Sequence, residues 1–407
     1  MNQALGGTIR ARSSKSLAHR AIFCALLAPG SSRIVLKDLS QDIERSLAVA
    51  RALQVDIKQT GDTYQFTPPA QFPTEVEINV GESGTTLRFL LPVFAVLGVR
   101  AKIIREGSLI QRPNTPYFSF FKAYGVRLRE EGAALFLAGR LPAFRVTLPG
   151  NLSSQFISGC LLAAGYLEEP SEIKVQGELE SKAYVHLTIE VMRAFGVHVE
   201  AGARTYHCQG PYEAASYQVE GDWSNGLFFL AAGVRVTDLT LDSRQACRLA
   251  LGTLNQLGYE VVTDELGLTL KPRHTPASSR SIDARQMPDA IPILAVLAAR
   301  TPGRTQVIHG ERLRLKESDR LQSTAALLRA LGVPVVETTA GLDFRGVSRF
   351  QPTQVRAFND HRLAMAAAIA ATWAAGPIEL CESESVQKSY PEFFHDFNSL
   401  GGKSDVL

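Results

Sequence analysis

Apolar residues along this chain fall into two kinds of helical run. In the first kind one face is apolar and the other polar. Leu321, Ala325, Leu328 and Leu331 recur at helical spacing and stop at Gly332-Val333, where a glycine past the last turn is a usual stop signal. In the second kind the run is apolar nearly all round: 21–28, 89–97, 160–165, 227–232, 291–298 and 363–371. A helix without a polar face is an interior helix. The pattern thus predicts six buried helices covered by amphipathic ones.

The runs repeat. A Leu-Gly-Val-like phrase centred on residues 54, 125, 196, 258, 332 and 401 returns at steps of 71, 71, 62, 74 and 69. The sixth copy, Leu400-Gly401-Gly402, is degraded. After most copies comes an alternating, strand-like segment such as Val335-Val336-Glu337. A fixed period marks repeated supersecondary units, and this one has room for two helices and several strands. Three units on each side of Glu220-Gly221-Asp222 make two domains, which 407 residues also favour. We expect one domain over 14–219 and a second from 1–13 and 220–407, with a hinge near 12–14 and 219–222. The short strand Gly7-Thr8-Ile9-Arg10 precedes the first helix and is expected to pair with the C-terminal half.

Each interior run opens on a polar head: Ser14-Lys15-Ser16, Gly84-Thr85-Thr86, Ser153-Ser154-Gln155, Asp222-Trp223-Ser224, Pro288-Asp289 and Asn359-Asp360-His361-Arg362. Buried helices must satisfy their first N–H groups, and Ser, Thr or Asp does so. Basic residues need another reason, since a cation at a helix N-terminus opposes the dipole. Lys15, Arg20, Arg88, Arg112, Lys182, Arg314, Lys316, Arg320, Arg362 and Lys388 all lie at or near such heads. Helix N-termini joined by Arg and Lys make a phosphate or carboxylate site. The densest case is Glu311–Arg320, where Ser318 and Asp319 can cap the following helix. In Arg112-Pro113-Asn114 the proline is expected at a first helical position.

Composition narrows the classes. A net charge of +3 is too mild for general nucleic-acid binding. No apolar run is long enough to span a bilayer, and 21–28 starts too late and ends too soon for a signal peptide. Five scattered cysteines without C-x-x-C spacing fit reduced thiols and a cytoplasmic address. No metal or other cofactor is called for.

Nine motifs in order carry a family resemblance over essentially the whole chain. They are Ser14-Lys15-Ser16-Leu17-Ala18-His19-Arg20, Gly84-Thr85-Thr86-Leu87-Arg88, Gln111-Arg112-Pro113, Ser153-Ser154-Gln155-Phe156, Ser181-Lys182-Ala183-Tyr184, Pro288-Asp289-Ala290, Lys316-Glu317-Ser318-Asp319-Arg320, Asn359-Asp360-His361-Arg362 and Lys388-Ser389-Tyr390-Pro391. Together they resemble the 5-enolpyruvylshikimate-3-phosphate synthases of the enolpyruvyl transferase family. The resemblance implies a two-domain inside-out α/β barrel of six βαβαββ units around buried helices, acting on small molecules as a monomer in the route to chorismate. It implies transfer of the enolpyruvyl group of phosphoenolpyruvate to the 5-hydroxyl of 3-phosphoshikimate, releasing phosphate, and inhibition by glyphosate at the phosphoenolpyruvate site.

By match to the motifs, Lys15, Ser16, Arg20, Ser153, Ser154, Gln155, Ser181, Asp289 and Lys316 would hold 3-phosphoshikimate. Lys15, Gly84, Arg112, Gln155, Arg320, Arg362 and Lys388 would hold phosphoenolpyruvate. Asp289 matches the base for the hydroxyl and Glu317 the proton donor to C3. The competing readings are a helix cap for Asp289 and a plain ion pair for Glu317. Arg12 and Ser13 replace the usual Pro-Gly, Glu82 and Ser83 the common Asn-Ala, and Arg312 a frequent Asn; these three charged residues are left outside the expected site. The sister enzyme acting on UDP-N-acetylglucosamine carries a loop Cys, and none occurs between Cys24 and Cys160. A repeat-built DNA clamp would set its cations in rows, not at helix heads.

Because the expected ligands come from both halves of the chain, binding should bias an open–closed equilibrium. Small-angle scattering with saturating 3-phosphoshikimate and a phosphoenolpyruvate analogue is expected to give a smaller radius of gyration. An unchanged radius would remove the hinge.

Overall fold

A computed structural model describes residues 4–405. Its helices are Lys15–Leu27 (α1), Gln41–Ala52 (α2), Gly84–Leu97 (α3), Thr115–Ala123 (α4), Ser154–Ala164 (α5), Lys182–Ala194 (α6), Trp223–Ala231 (α7), Ala250–Gln256 (α8), Ile291–Arg300 (α9), Arg320–Ala330 (α10), His361–Ala371 (α11) and Phe393–Ser399 (α12). The odd-numbered helices are the interior ones. In α9, for example, every residue from Ile291 to Ala299 is buried, whereas α2 buries only Ile43, Ser46, Leu47, Val49 and Ala50. Among the described residues no helix is long and apolar enough to cross a membrane.

Two compact units share these elements. One is Ser13–Glu220; the other joins the residues up to Arg12 to those from Gly221 onward. Within Ser13–Glu220 three four-stranded sheets surround α1, α3 and α5. The middle sheet shows the rule: Glu75–Asn79 runs parallel to Arg100–Ile104, which pairs antiparallel with Ala134–Ala138, which pairs antiparallel with Arg127–Glu131. In chain order this is βαβαββ, with helices inside and half-exposed strands outside. The second unit repeats the rule in two four-stranded sheets. Its third sheet has two strands, Thr353–Arg356 and Ile378–Cys381, which matches the degraded sixth copy of the sequence phrase.

As expected, the short N-terminal strand belongs with the C-terminal half of the chain. Thr8–Arg10 does not precede α1 in a common sheet; it lies parallel to Arg235–Thr237, beyond α7. The corresponding strand for α1 is Ser216–Gln218, parallel to Ser32–Val35. Periodicity gave no sign of Ser216–Gln218, because three residues are too few to show it.

The repeated phrase has a backbone cause. Gly125, Gly196, Gly258, Gly332 and Gly401 all have positive φ, between 71° and 98°, as does Gln54 at 61°. Each ends a covering helix with a left-handed residue, which glycine adopts without steric cost. One expectation needs correction. Pro113 lies before the cap Asn114, and Pro116 occupies the first turn of α4. In the charged run 311–320 Asp319 caps the following helix, as expected; Glu311–Leu315 forms a 3-10 turn before it, and α10 starts at Arg320.

Closest packing occurs between α3 and α5. Pro92 inside α3 has no N–H for the carbonyl of Arg88. The Tyr117 hydroxyl donates to that oxygen instead, at 2.7 Å, so a buried acceptor stays satisfied. Gly159 of α5 lies against the same spot, where a Cβ would stand 2.2 Å from Arg88 O and 2.5 Å from Tyr117 Oη. Gly159→Ala is expected to destabilise Ser13–Glu220 by about 1–3 kcal/mol, the usual range for overpacking, read as a lower urea midpoint. An unchanged midpoint would mean that α3 and α5 can part without loss.

Candidate active site

Because the interior helices are apolar along their length, the polar side chains gather at their N-termini. In Ser13–Glu220 the heads of α3 and α5 are tied by one amide. Gln155 Nε2 donates to Thr85 Oγ1 (2.9 Å), and Gln155 Oε1 accepts from Arg88 Nη1 (2.6 Å). Arg88 also donates to Pro113 O (3.2 Å) and lies over the Phe156 ring. Ser153 caps α5 through Gln155 N, and Ser154 is buried in its first turn. At Gly84 a Cβ would stand 2.8 Å from Arg112 Nη1 and 3.1 Å from Arg88 Nη1. Gly84, Arg88, Arg112, Ser153, Ser154 and Gln155 are therefore one cluster.

Lys15, Ser16 and Arg20 stand on the first turns of α1. Lys15 Nζ lies 2.7 Å from Asp42 Oδ2. Arg20 is 2% exposed and has donors on Thr188 Oγ1, Ser16 O and Tyr184 O. Burial lowers its guanidinium to about 10, so it stays a cation at neutral pH. It joins α1 to α6, whose cap Ser181 has left-handed backbone, φ 53° and ψ 41°. Such a conformation is strained for a non-glycine residue and gathers at functional positions.

A residue outside the expected site links the first two heads. His19 Nδ1 is 2.7 Å from Ser46 Oγ, which is 2.9 Å from Thr86 Oγ1, itself 2.7 Å from Ser83 Oγ. All four are buried. Burial, with Lys15 and Arg20 adding to it, pushes His19 well below its ordinary value, so the imidazole is neutral. His19 and Thr86 stood in the motifs and Ser83 just before one, but Ser46 lies on α2, outside every motif. Glu82, the unusual carboxylate of the glycine loop, accepts from Ser108 N and Ser108 Oγ, both at 3.1 Å. That position holds the 107–110 turn.

The second unit carries the other residues. Arg320, the first residue of α10, is buried with a fully covered side chain and has three carboxylates around it. Its Nε donates to Asp360 (2.7 Å), Nη1 to Asp289 (2.6 Å) and Nη2 to Glu317 (2.7 Å), with a longer Nη2 contact to Asp360. Burial alone would lower this guanidinium, but Asp360, Glu317 and Asp289 outweigh it and hold it well above its ordinary value. Of five guanidinium N–H groups, one on Nη1 is left over. Asp360 also caps α11 through Arg362 N. Asp289 is not a cap, since α9 starts from Ala290 with no side-chain cap bond. The ion pair expected as the plain reading of Glu317 is present.

Lys316 joins this cluster from the turn before α10. Burial lowers its amine to about 7; Asp289 and Glu317 oppose the shift, and Arg312 and Arg320 add to it. Arg312, which sequence reasoning set aside, is thus a charged neighbour of Lys316. Arg314 has a different task, pairing with Asp319 and Glu337 and donating to Thr338 O and Thr339 O. Arg362, the second residue of α11, donates to Ser224 O, Ser224 Oγ and Asn225 Oδ1 at 2.7–3.0 Å. Lys388 ends the turn Ser383–Lys388 and donates to Asn359 O at 2.7 Å. No group of His, Cys, Asp and Glu among the described residues has the makings of a metal site.

Each unit thus presents cations at helix heads, and the second adds three carboxylates on one guanidinium. Comparison with known proteins gives the family. The family model for EPSP synthase (3-phosphoshikimate 1-carboxyvinyltransferase) matches residues 1–397. The 3-phosphoshikimate 1-carboxyvinyltransferases of Clostridium perfringens and Clostridium acetobutylicum are each 37% identical, over 98% of this chain and 96% of theirs. In fold the chain is similar to the EPSP synthase of Acinetobacter baumannii, with a TM-score of 0.77, 23% identity and coverage of 98% and 96%. It is also similar to the enolpyruvyl transferase NikO of Streptomyces tendae, with a TM-score of 0.75, 19% identity and the same coverage. These relatives share the two-domain inside-out α/β architecture, and the chain belongs to the EPSP synthase family.

Proposed function

We propose that the protein transfers the enolpyruvyl group of phosphoenolpyruvate to the 5-hydroxyl of 3-phosphoshikimate, giving 5-enolpyruvylshikimate 3-phosphate and phosphate. The observation that carries the chemistry is the pair Asp289 and Glu317 on the single guanidinium of Arg320, with Lys316 beside them. The hydroxyl oxygen adds to C2 of phosphoenolpyruvate and loses its proton, while C3 gains one. Elimination then takes a proton back from C3 and expels phosphate from C2. No oxidation state changes, so two positioned carboxyl groups in a cationic field suffice.

Asp289 is the acceptor of the hydroxyl proton and Glu317 the donor to C3. Arg320 keeps the two on neighbouring nitrogens, and removing a partner from a buried charge cluster of this kind costs about 3–5 kcal/mol. Lys15, Ser16, Arg20, Ser153, Ser154, Gln155, Ser181 and Lys316 are assigned to 3-phosphoshikimate. Lys15, Gly84, Arg112, Gln155, Arg362 and Lys388 are assigned to phosphoenolpyruvate, with the remaining Arg320 N–H as a further donor. The protein works in the shikimate route to aromatic amino acids, in the cytoplasm, as a monomer.

Two outcomes test these roles. Asp289→Asn is expected to keep the fold and lower turnover by about two to four powers of ten; normal turnover would remove the assignment. Lys316 gives a pH signature. Its ammonium form binds phosphate, so 3-phosphoshikimate affinity should weaken as pH rises through about 7, and Lys316→Arg should abolish that limb. In the stability profile the sign is set by a folded value below the ordinary 10.5. The unfolded chain binds more protons between the two, so this contribution is full above 10.5 and lost as pH falls towards about 7. An affinity limb that survives in Lys316→Arg would sink the assignment.

A further inference from the structure

Resting on the assignment of Arg362 and Lys388 to phosphoenolpyruvate, we propose that Asn225 is a positioning residue that sets where these two cations stand. Asn225 lies in the first turn of α7, 1% exposed, and belongs to none of the nine motifs. Its Oδ1 accepts from Arg362 Nη1 at 3.0 Å, and its Nδ2 donates to Ser389 O at 3.3 Å. A guanidinium only donates and a carbonyl only accepts, so these partners fix which way the amide faces.

The contacts form a closed ring. From Asn225 the path runs to Arg362, back along the backbone to Asn359, whose carbonyl accepts from Lys388 Nζ at 2.7 Å, then to Ser389 and back to Asn225. Asn359 and Phe358 both have left-handed backbone, φ 52° and 54°, a strained turn that needs such anchoring. Asn225 is itself held, because the α7 cap Asp222 accepts from Asn225 N and Ser224 N, and Ser224 Oγ receives Arg362 Nη2. The ring also holds two buried polar atoms with no hydrogen-bond partner among the described residues, Arg362 Nε and Ser389 Oγ, in residues 2% and 6% exposed. Unsatisfied polar groups are costly to bury and call for a ligand or another role. A compact phosphate ester carrying a carboxylate, such as phosphoenolpyruvate, is a ligand of the right chemistry for cations held at a set spacing.

An amide is the side chain of this size that meets both neighbours. Aspartate would still accept from Arg362 but could not donate to Ser389 O, and its charge would compete for the guanidinium. Leucine would meet neither. The test is steady-state kinetics of Asn225→Asp and Asn225→Leu, with Arg362→Ala as reference and the thermal midpoint of each recorded. Both Asn225 variants are expected to raise KM for phosphoenolpyruvate about tenfold or more, since misplacing a binding group by an ångström has effects of that order or larger. KM for 3-phosphoshikimate should stay within about twofold, a split that general loss of structure would not produce. If Arg362→Ala leaves KM for phosphoenolpyruvate unchanged, the assignment of Arg362 falls. If Arg362→Ala raises it while a folded Asn225→Asp does not, Asn225 is not a positioning residue. Equal loss for both substrates in the Asn225 variants also overturns the proposal.

Discussion

A helix that is apolar all round has only its ends left for polar chemistry, and this constraint organises both units. Water cannot reach the first N–H groups of α1, α3, α5, α7, α9 and α11 from the side, so capping groups must reach them at the head. Ser83, Ser153, Asp222 and Asp360 do so. Once a protein has collected unpaired N–H groups, hydroxyls and a positive dipole end at the heads, adding arginine and lysine turns structural necessity into an anion site. Function here uses the polar ends that the interior helices leave.

The same constraint explains what could be read without coordinates. Interior and covering helices differ in periodicity, and the left-handed glycines 125, 196, 258, 332 and 401 stand at a nearly fixed interval, so the repeat was legible. Gln54 broke the glycine pattern but kept the conformation. Site residues near a head were also legible, because a cation there is out of place unless an anion is expected. Partner choice was not. That Glu82 serves the 107–110 turn and that His19 reaches Thr86 through Ser46 depend on contacts between residues far apart in the chain. Asn225 is the clearest omission: a single asparagine at a helix head reads as an ordinary polar residue until both of its partners are known.

Arg320 shows why charge counts along a sequence mislead. Glu311–Arg320 reads as a basic and acidic mixture, yet the structure sorts it. Arg314 secures a turn, Asp319 caps a helix, and Arg320 becomes the buried centre on which three carboxylates are hung. Low local dielectric makes each of those contacts stronger and each loss more costly. Holding Asp289 and Glu317 on separate nitrogens of a rigid, planar group also fixes their spacing better than two flexible lysines could.

The exchange of first strands has a temporal consequence. Ser13–Glu220 is a continuous stretch containing its own late strand, Ser216–Gln218, so it has all its parts as soon as its last residue is made. The other unit must wait, because Thr8–Arg10 emerges first and its partner Arg235–Thr237 about 230 residues later. At ribosomal rates of about 5–20 residues per second, that strand spends roughly 10 to 45 seconds without a sheet. Its brevity then becomes an advantage: three residues, one exposed and two half-buried, offer little edge for a neighbouring nascent chain to join.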